Sequence, residues 1–152
     1  MIEKLNSIVE EISSMNSKLI LLIGPTQSGK SNLLAQLAAL RKMPVLRLGS
    51  DLGRELLTVP STRRHLQVAE LLNVVADRFV SEGLLLIDNM ELLFDRRLKL
   101  SPLDLLKRQA QARRVVAVWP GELRDNRLLY AVTGHPEHQD YGTYGVVPCE
   151  IY

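Results

Sequence analysis

Lys18-Leu19-Ile20-Leu21-Leu22-Ile23-Gly24-Pro25-Thr26-Gln27-Ser28-Gly29-Lys30-Ser31 is the stretch that decides the fold. An apolar run ends at Gly24, and Gly24 to Ser31 fit G-x-x-x-x-G-K-[ST], the signature of a phosphate-cradling loop. Residues Ser31 to Leu40 then read as a helix. Strand, loop and helix in that order are the context the motif requires. Gly24 and Gly29 allow the backbone to curl so that successive N–H groups point inward. The helix opening near Lys30 adds free amides and the positive end of its dipole. Lys30 is expected to reach the β and γ phosphates as a mobile point charge. Ser31 is expected to ligate Mg²⁺ through its hydroxyl. Gly24, Pro25, Thr26, Gln27, Ser28, Gly29, Lys30 and Ser31 are therefore the candidate binding loop, with Mg²⁺ and ATP as the expected ligands.

A second acidic site lies downstream. Leu84-Leu85-Leu86-Ile87-Asp88 is an apolar run closed by an acid, the pattern of a Walker B strand. Asp88 is expected to emerge beside the loop and hold Mg²⁺ through its water shell. Many ATPases of this layout place a glutamate next, as base for the attacking water; here the position is Asn89. An amide orients a water but cannot take its proton. Glu91, two residues on, is the alternative base, and Lys30, Asn89 and Glu91 are the candidate catalytic residues. Glu122 is a further candidate for a sensor or base.

The rest of the chain alternates strand and helix. Ile2, Leu5, Val9, Ile12 and Met15 fall at three- and four-residue steps, which predicts an amphipathic helix over 1–16. Pro44 to Leu48 reads as a short strand, and Ser50 or Asp51 as the cap of a helix to Leu57. Leu66 to Phe79 reads as a helix. Ser101-Pro102-Leu103-Asp104 opens another, to about Ala112. Val115 to Trp119 reads as a buried strand and Leu128 to Val132 as the last one. The tail, 134–152, carries Gly142, Gly145 and Pro148 and reads as irregular. The expected fold is α/β: a three-layer P-loop NTPase core with a mainly parallel sheet of about five strands and helices on both faces. A length of 152 residues at 46% hydrophobic content suits a single domain over 1–152 with its own core.

Charge and composition narrow the function classes. A net charge of +2 does not by itself imply nucleic-acid binding. The single cysteine, Cys149, leaves no intramolecular disulfide and suits a reducing compartment. No apolar run approaches the roughly 20 residues of a membrane span, and the acidic N-terminal segment is not a signal peptide. The expected location is cytoplasmic, away from any membrane. Arg124 and Arg127 precede the last expected strand, where ATPases of this kind often place an arginine that a neighbouring subunit inserts beside the γ phosphate. Arg113 and Arg114 suit a helix C-terminus. Arg63-Arg64 and Arg96-Arg97 read as solvated faces or phosphate contacts, so direct DNA contact stays open. His135, His138 and Cys149 match no closed zinc set. Trp119-Pro120-Gly121 reads as a strand end and turn beside the nucleotide, with Trp119 stacking on the base as a minor alternative.

Taken together, the chain resembles the BrxF family, the small P-loop proteins of type 3 BREX (bacteriophage exclusion) systems. The likeness is carried by Leu21 to Ser31, by Leu86-Ile87-Asp88-Asn89-Met90-Glu91-Leu92-Leu93-Phe94, by Val118-Trp119-Pro120-Gly121-Glu122 and by Gly134-His135-Pro136-Glu137. The resemblance implies antiphage defence, ATP binding, and work in a complex with other BREX subunits, among them a DNA methyltransferase.

Three functions compete. The first is a slow ATPase whose site a neighbouring copy completes, in a nucleotide-dependent homo-oligomer. The second is a nucleotide-gated assembly adaptor with little or no turnover. The third is a small-molecule or nucleotide kinase, for which 49–65, with Arg54, Arg63 and Arg64, is the candidate lid.

Overall fold

The computed structural model describes residues 1–12, 18–25, 29–125, 127–130 and 145–151, and the backbone of 139–142. Helix α1 (Ile2–Glu11) precedes β1 (Leu19–Ile23), and α2 (Lys30–Arg41) follows it. Next come β2 (Leu46–Arg47), α3 (Leu48–Leu56), α4 (Arg64–Asp77) and β3 (Leu84–Asp88). Two short 3-10 helices, Met90–Phe94 and Arg96–Leu98, lead to α5 (Pro102–Ala112) and β4 (Arg114–Val118). The chain ends with β5 (Glu122–Arg124), β6 (Arg127–Tyr130), β7 (Gln139–Gly142) and β8 (Val147–Glu150).

Five strands make a parallel sheet in the order β2-β3-β4-β1-β8. Every residue of β1 is buried, which is why its sequence is continuously apolar rather than alternating. Ile20 and Leu22 face α1 and α2, packing with Leu5, Val9, Leu34 and Leu37. Leu19 and Leu21 point the other way, into the cluster built by α3, α4 and α5 with Leu52, Leu72 and Leu106. Parallel crossovers are right-handed, so connections that travel along the sheet in opposite directions fall on opposite faces. The link from β1 to β2 runs one way through α2. The links from β2 to β3 and from β3 to β4 run back, and their helices cover the other face. Adjacent strands β1 and β4 thus send their connections in opposite directions, which opens a crevice at their carboxyl ends.

Four expectations are corrected or cut back here. The tail 134–152 is not irregular throughout: β7 pairs with β6, and β8 lies parallel to β1 with Ile23 opposite Glu150. The strand read at Leu128 to Val132 is β6 as far as Tyr130, residues 131 and 132 lying outside the described residues, and it belongs to a separate antiparallel sheet, β5-β6-β7. The fifth parallel strand is β8 instead. Pro148 is tolerated there because β8 is an edge strand, where an N–H can be missing without breaking a ladder. The helix expected from Ser50 or Asp51 begins at Leu48, and Asp51 acts from inside it by accepting the N–H of Arg47 at 2.9 Å. Of the segment 1–16, residues 2–11 are helical and 13–16 lie outside the described residues.

Candidate functional site

The crevice is built where β1 gives way to α2. Gly29 is the N-cap of α2 with φ 91°, a left-handed conformation that excludes most side chains although the space around it is open. It turns the chain so that Lys30 is the first helical residue. The ammonium of Lys30 folds back and donates to the carbonyl of Gly24 at 2.8 Å and to that of Trp119 at 3.1 Å. Burial lowers the affinity of Lys30 for its proton, and the nearby charges of Glu91 and then Asp88 oppose that shift. One cation therefore sits between two backbone carbonyls with two acids close by.

Ser31, one residue further, donates its hydroxyl to Oδ1 of Asp88 at 3.2 Å across 57 positions of sequence. The same oxygen accepts the N–H of Asn89 at 2.8 Å. Asp88 reaches this point because β3 ends there, one strand removed from β1. A hydroxyl and a carboxylate form a hard oxygen pair. They fit Mg²⁺, which usually takes one or two protein oxygens and fills its remaining positions with water and phosphate. They do not make a self-sufficient cage for a free ion, and among the described residues no three histidine, cysteine or acidic side chains converge.

Asn89 has φ 54°, also left-handed, and separates β3 from the 3-10 helix that carries Glu91. Its carbonyl accepts the N–H of Gly49 at 3.0 Å, which ties the acid-bearing turn to α3. Glu91 is exposed at the start of that 3-10 helix. Its charge acts on Lys30. Lys30, Ser31, Asp88, Asn89 and Glu91 thus lie together at this corner. Gly24 and Pro25 lie at the rim of the crevice, and Thr26, Gln27 and Ser28 lie outside the described residues.

Other expectations change. Trp119 is fully buried, its ring edge-on to Phe94 at 5.4 Å and its Nε1 donating to the carbonyl of Leu129 at 3.1 Å. It cannot stack on a base; its carbonyl, not its indole, faces the site. The stretch 49–65 is no lid. Leu52 and Leu56 are core residues, and Arg64 is anchored on the carbonyls of Leu56 and Val59 at 2.9 and 3.0 Å. Arg113 caps α5 and pairs with Asp77 at 2.8 Å, whereas Arg114 opens β4 and donates to the carbonyls of Val9 and Glu82. Arg97 is held by Asp95, whose carboxyl it keeps below the usual range. Glu122 sits on β5, paired with Arg124 at 2.7 Å. Arg124 faces Arg127 across the β5–β6 hairpin, and both are exposed. Cys149 is buried in β8, and burial pushes its thiol up. His135 and His138 lie outside the described residues.

Sequence reasoning missed four contributors. The carbonyl of Trp119 leaves no trace in side-chain pattern. Gly121 is needed because a Cβ there would lie 1.6 Å from the carbonyl oxygen of Leu129; a glycine after Trp-Pro was the available signal. Glu150 and Ile151, at the end of β8, border a cleft of about 190 Å³ that also touches Gly24 and Pro25.

No family model matches the sequence, and comparison with curated proteins and with solved structures gives no match. Among the described residues, no helix is long and apolar enough to cross a membrane.

Proposed function

We propose that this chain is a P-loop nucleoside triphosphatase core that binds Mg²⁺ and ATP through Gly24 to Ser31 and Asp88 and hydrolyses the nucleotide slowly. The observation that carries the reading is the contact of Ser31 with Asp88 at 3.2 Å, beside an ammonium already held at the mouth of the loop. A loop motif occurring by chance has no reason to meet an acid from a strand two places away in the sheet. When Mg²⁺ is bound with the triphosphate it supplies charge neutralisation at the phosphate oxygens. Lys30 would turn its ammonium to the phosphate oxygens, Ser31 and Asp88 would hold the metal, and Glu91 would accept the proton of the attacking water.

Asn89 favours the second reading, a nucleotide-gated adaptor with little turnover, since an amide stands where a base is usual. The kinase reading loses its lid to the packing of α3. By resemblance the cellular setting is a BREX antiphage complex containing a DNA methyltransferase. Arg124 and Arg127, exposed at a hairpin tip, are the side chains that a second copy would insert in a nucleotide-dependent oligomer.

Calorimetry with Mg-ATP tests the core of the proposal: binding by the wild type that Lys30→Ala weakens by about 10- to 100-fold or more supports it, and no binding by folded protein sinks it. Phosphate release that falls with Glu91→Gln separates the ATPase from the adaptor. Mass measurement with and without Mg-ATP tests assembly.

A further inference from the structure

The cleft beside the loop has a composition of its own. Ile23, Leu123 and Ile151 contribute apolar residues to its lining, and Glu122 and Glu150 are the acidic residues that border it. At about 190 Å³ it is smaller than a full ligand pocket of roughly 300–1,000 Å³, so it suits one part of a larger ligand. Gly24 and Pro25 line it too, which makes it continuous with the phosphate loop. Its position is directional. Ser31 and Asp88 mark the metal corner on the β3 side of β1, while the cleft lies at the ends of β1 and β8, on the opposite side. A nucleotide whose metal-bearing phosphates occupy the first corner extends the other end of the molecule away from it.

We infer that this cleft is the base subsite, and that Glu122 and Glu150 select a base carrying an exocyclic amine. The inference rests on the phosphate-loop reading above and adds what that reading leaves open, the part of the ligand that is not phosphate. Ionised carboxylates only accept hydrogen bonds, so they reward a base edge that presents N–H donors, as adenine does with its 6-amino group. Each has roughly four acceptor positions, and the pairing of Glu122 with Arg124 at 2.7 Å occupies one of them while orienting the group. The apolar walls receive the flat faces of the ring, where area burial and not hydrogen bonding contributes.

The test compares three probes with Mg²⁺ present, by calorimetry on the full chain: ATP, purine riboside triphosphate (which lacks only the 6-amino group) and inorganic tripolyphosphate. The wild type is expected to bind ATP about tenfold more tightly than purine riboside triphosphate, the size of a charge-assisted hydrogen bond. In the double variant Glu122→Ala with Glu150→Ala that ratio falls to about one, while binding of tripolyphosphate shows that the loop is intact. Should the alanine variant lose tripolyphosphate as well, the double glutamine variant is read in the same way, and its ratio must fall below that of the wild type. A wild-type ratio near one, or an unchanged ratio in the variants, overturns the base subsite alone. Failure of the wild type to bind any of the three probes overturns the phosphate-loop reading itself.

Discussion

The ammonium of Lys30 donates to the carbonyl of Trp119 at 3.1 Å, joining the loop after β1 to the end of β4 across 89 residues. The carbonyls of Trp119 and Gly24 take two of the three ammonium donors, so contacting both the β and γ phosphates would loosen at least one of these bonds. Trp119 is also tied to Leu129 through its indole N–H. A nucleotide that loosened the bond to Trp119 would thereby act on the antiparallel sheet. Trp119 is the chain's one tryptophan. Saturating Mg-ATP is expected to change its emission in the wild type and to leave it unchanged in Lys30→Ala, whose affinity falls by about 10- to 100-fold or more. Emission that ignores nucleotide while calorimetry reports binding would rule out this transmission.

Burial holds the proton affinity of Lys30 below the ordinary lysine value of 10.5. Between its folded-state value and 10.5 the unfolded chain binds more protons than the folded one, so stability rises with pH across that window. Below the window the cost of burying the charge is fully present. Relative to Lys30→Met, the ligand-free wild type should gain stability as pH climbs through the alkaline range, and its ATP affinity should decline over the same interval. Urea midpoints and titrations at matched pH measure the two opposite slopes; parallel slopes would contradict the assignment.

Gly121 leaves no room for a methyl group, since the Cβ position lies 1.6 Å from the Leu129 carbonyl oxygen. That obstacle is backbone and cannot swing aside. Gly121→Ala should destabilise the protein by about 3 kcal/mol, at the upper end for overpacking. The denaturant midpoint is the readout, and a loss under about 0.5 kcal/mol would mean that the β5–β6 hairpin yields freely.

Asn89 and Glu91 separate backbone from chemistry. Asn89→Val should cost about 1–2 kcal/mol, because a β-branched residue is strained in the left-handed region that Asn89 adopts at φ 54°. Glu91→Gln should leave stability and ATP affinity nearly unchanged and slow phosphate release by about 10²- to 10⁴-fold, the range of general base catalysis. Release that persists at the wild-type rate in Glu91→Gln removes Glu91 as the base.

Ser31→Ala and Asp88→Asn act on the metal corner. Each should raise the Mg²⁺ concentration needed for half-maximal ATP binding, and ATP binding measured in excess chelator should be weak in all three proteins. Identical Mg²⁺ dependence in the variants and the wild type would dissociate Ser31 and Asp88 from the ion.

Much of this architecture was legible from local signals. The strands β1, β3 and β4 announce themselves because burial on both faces demands continuous apolar runs, and the juxtaposition of Lys30, Ser31 and Asp88 because the motif fixes side-chain type at set spacing. The misreadings share a cause. Gly142, Gly145 and Pro148 make the tail look irregular, yet β8 is specified by the vacant edge of β1, a partner more than a hundred residues away. Leu128 and its neighbours have strand chemistry, but nothing local says which sheet will take them. Trp119 shows an aromatic near a site, and only packing against Phe94 reveals that its ring points away.

The pairing of Ile23 with Glu150 has a consequence for the birth of the molecule. As the ribosome elongates the chain, β1 emerges early but gains its second neighbour only when β8 arrives. Until then a nascent polypeptide carries β1 with one ladder open, exposed to pairing with other unfinished chains. Completion of the pocket thereby waits for β8 to be translated, and a chain that stalls before Val147 would be a candidate for quality control rather than a half-active product.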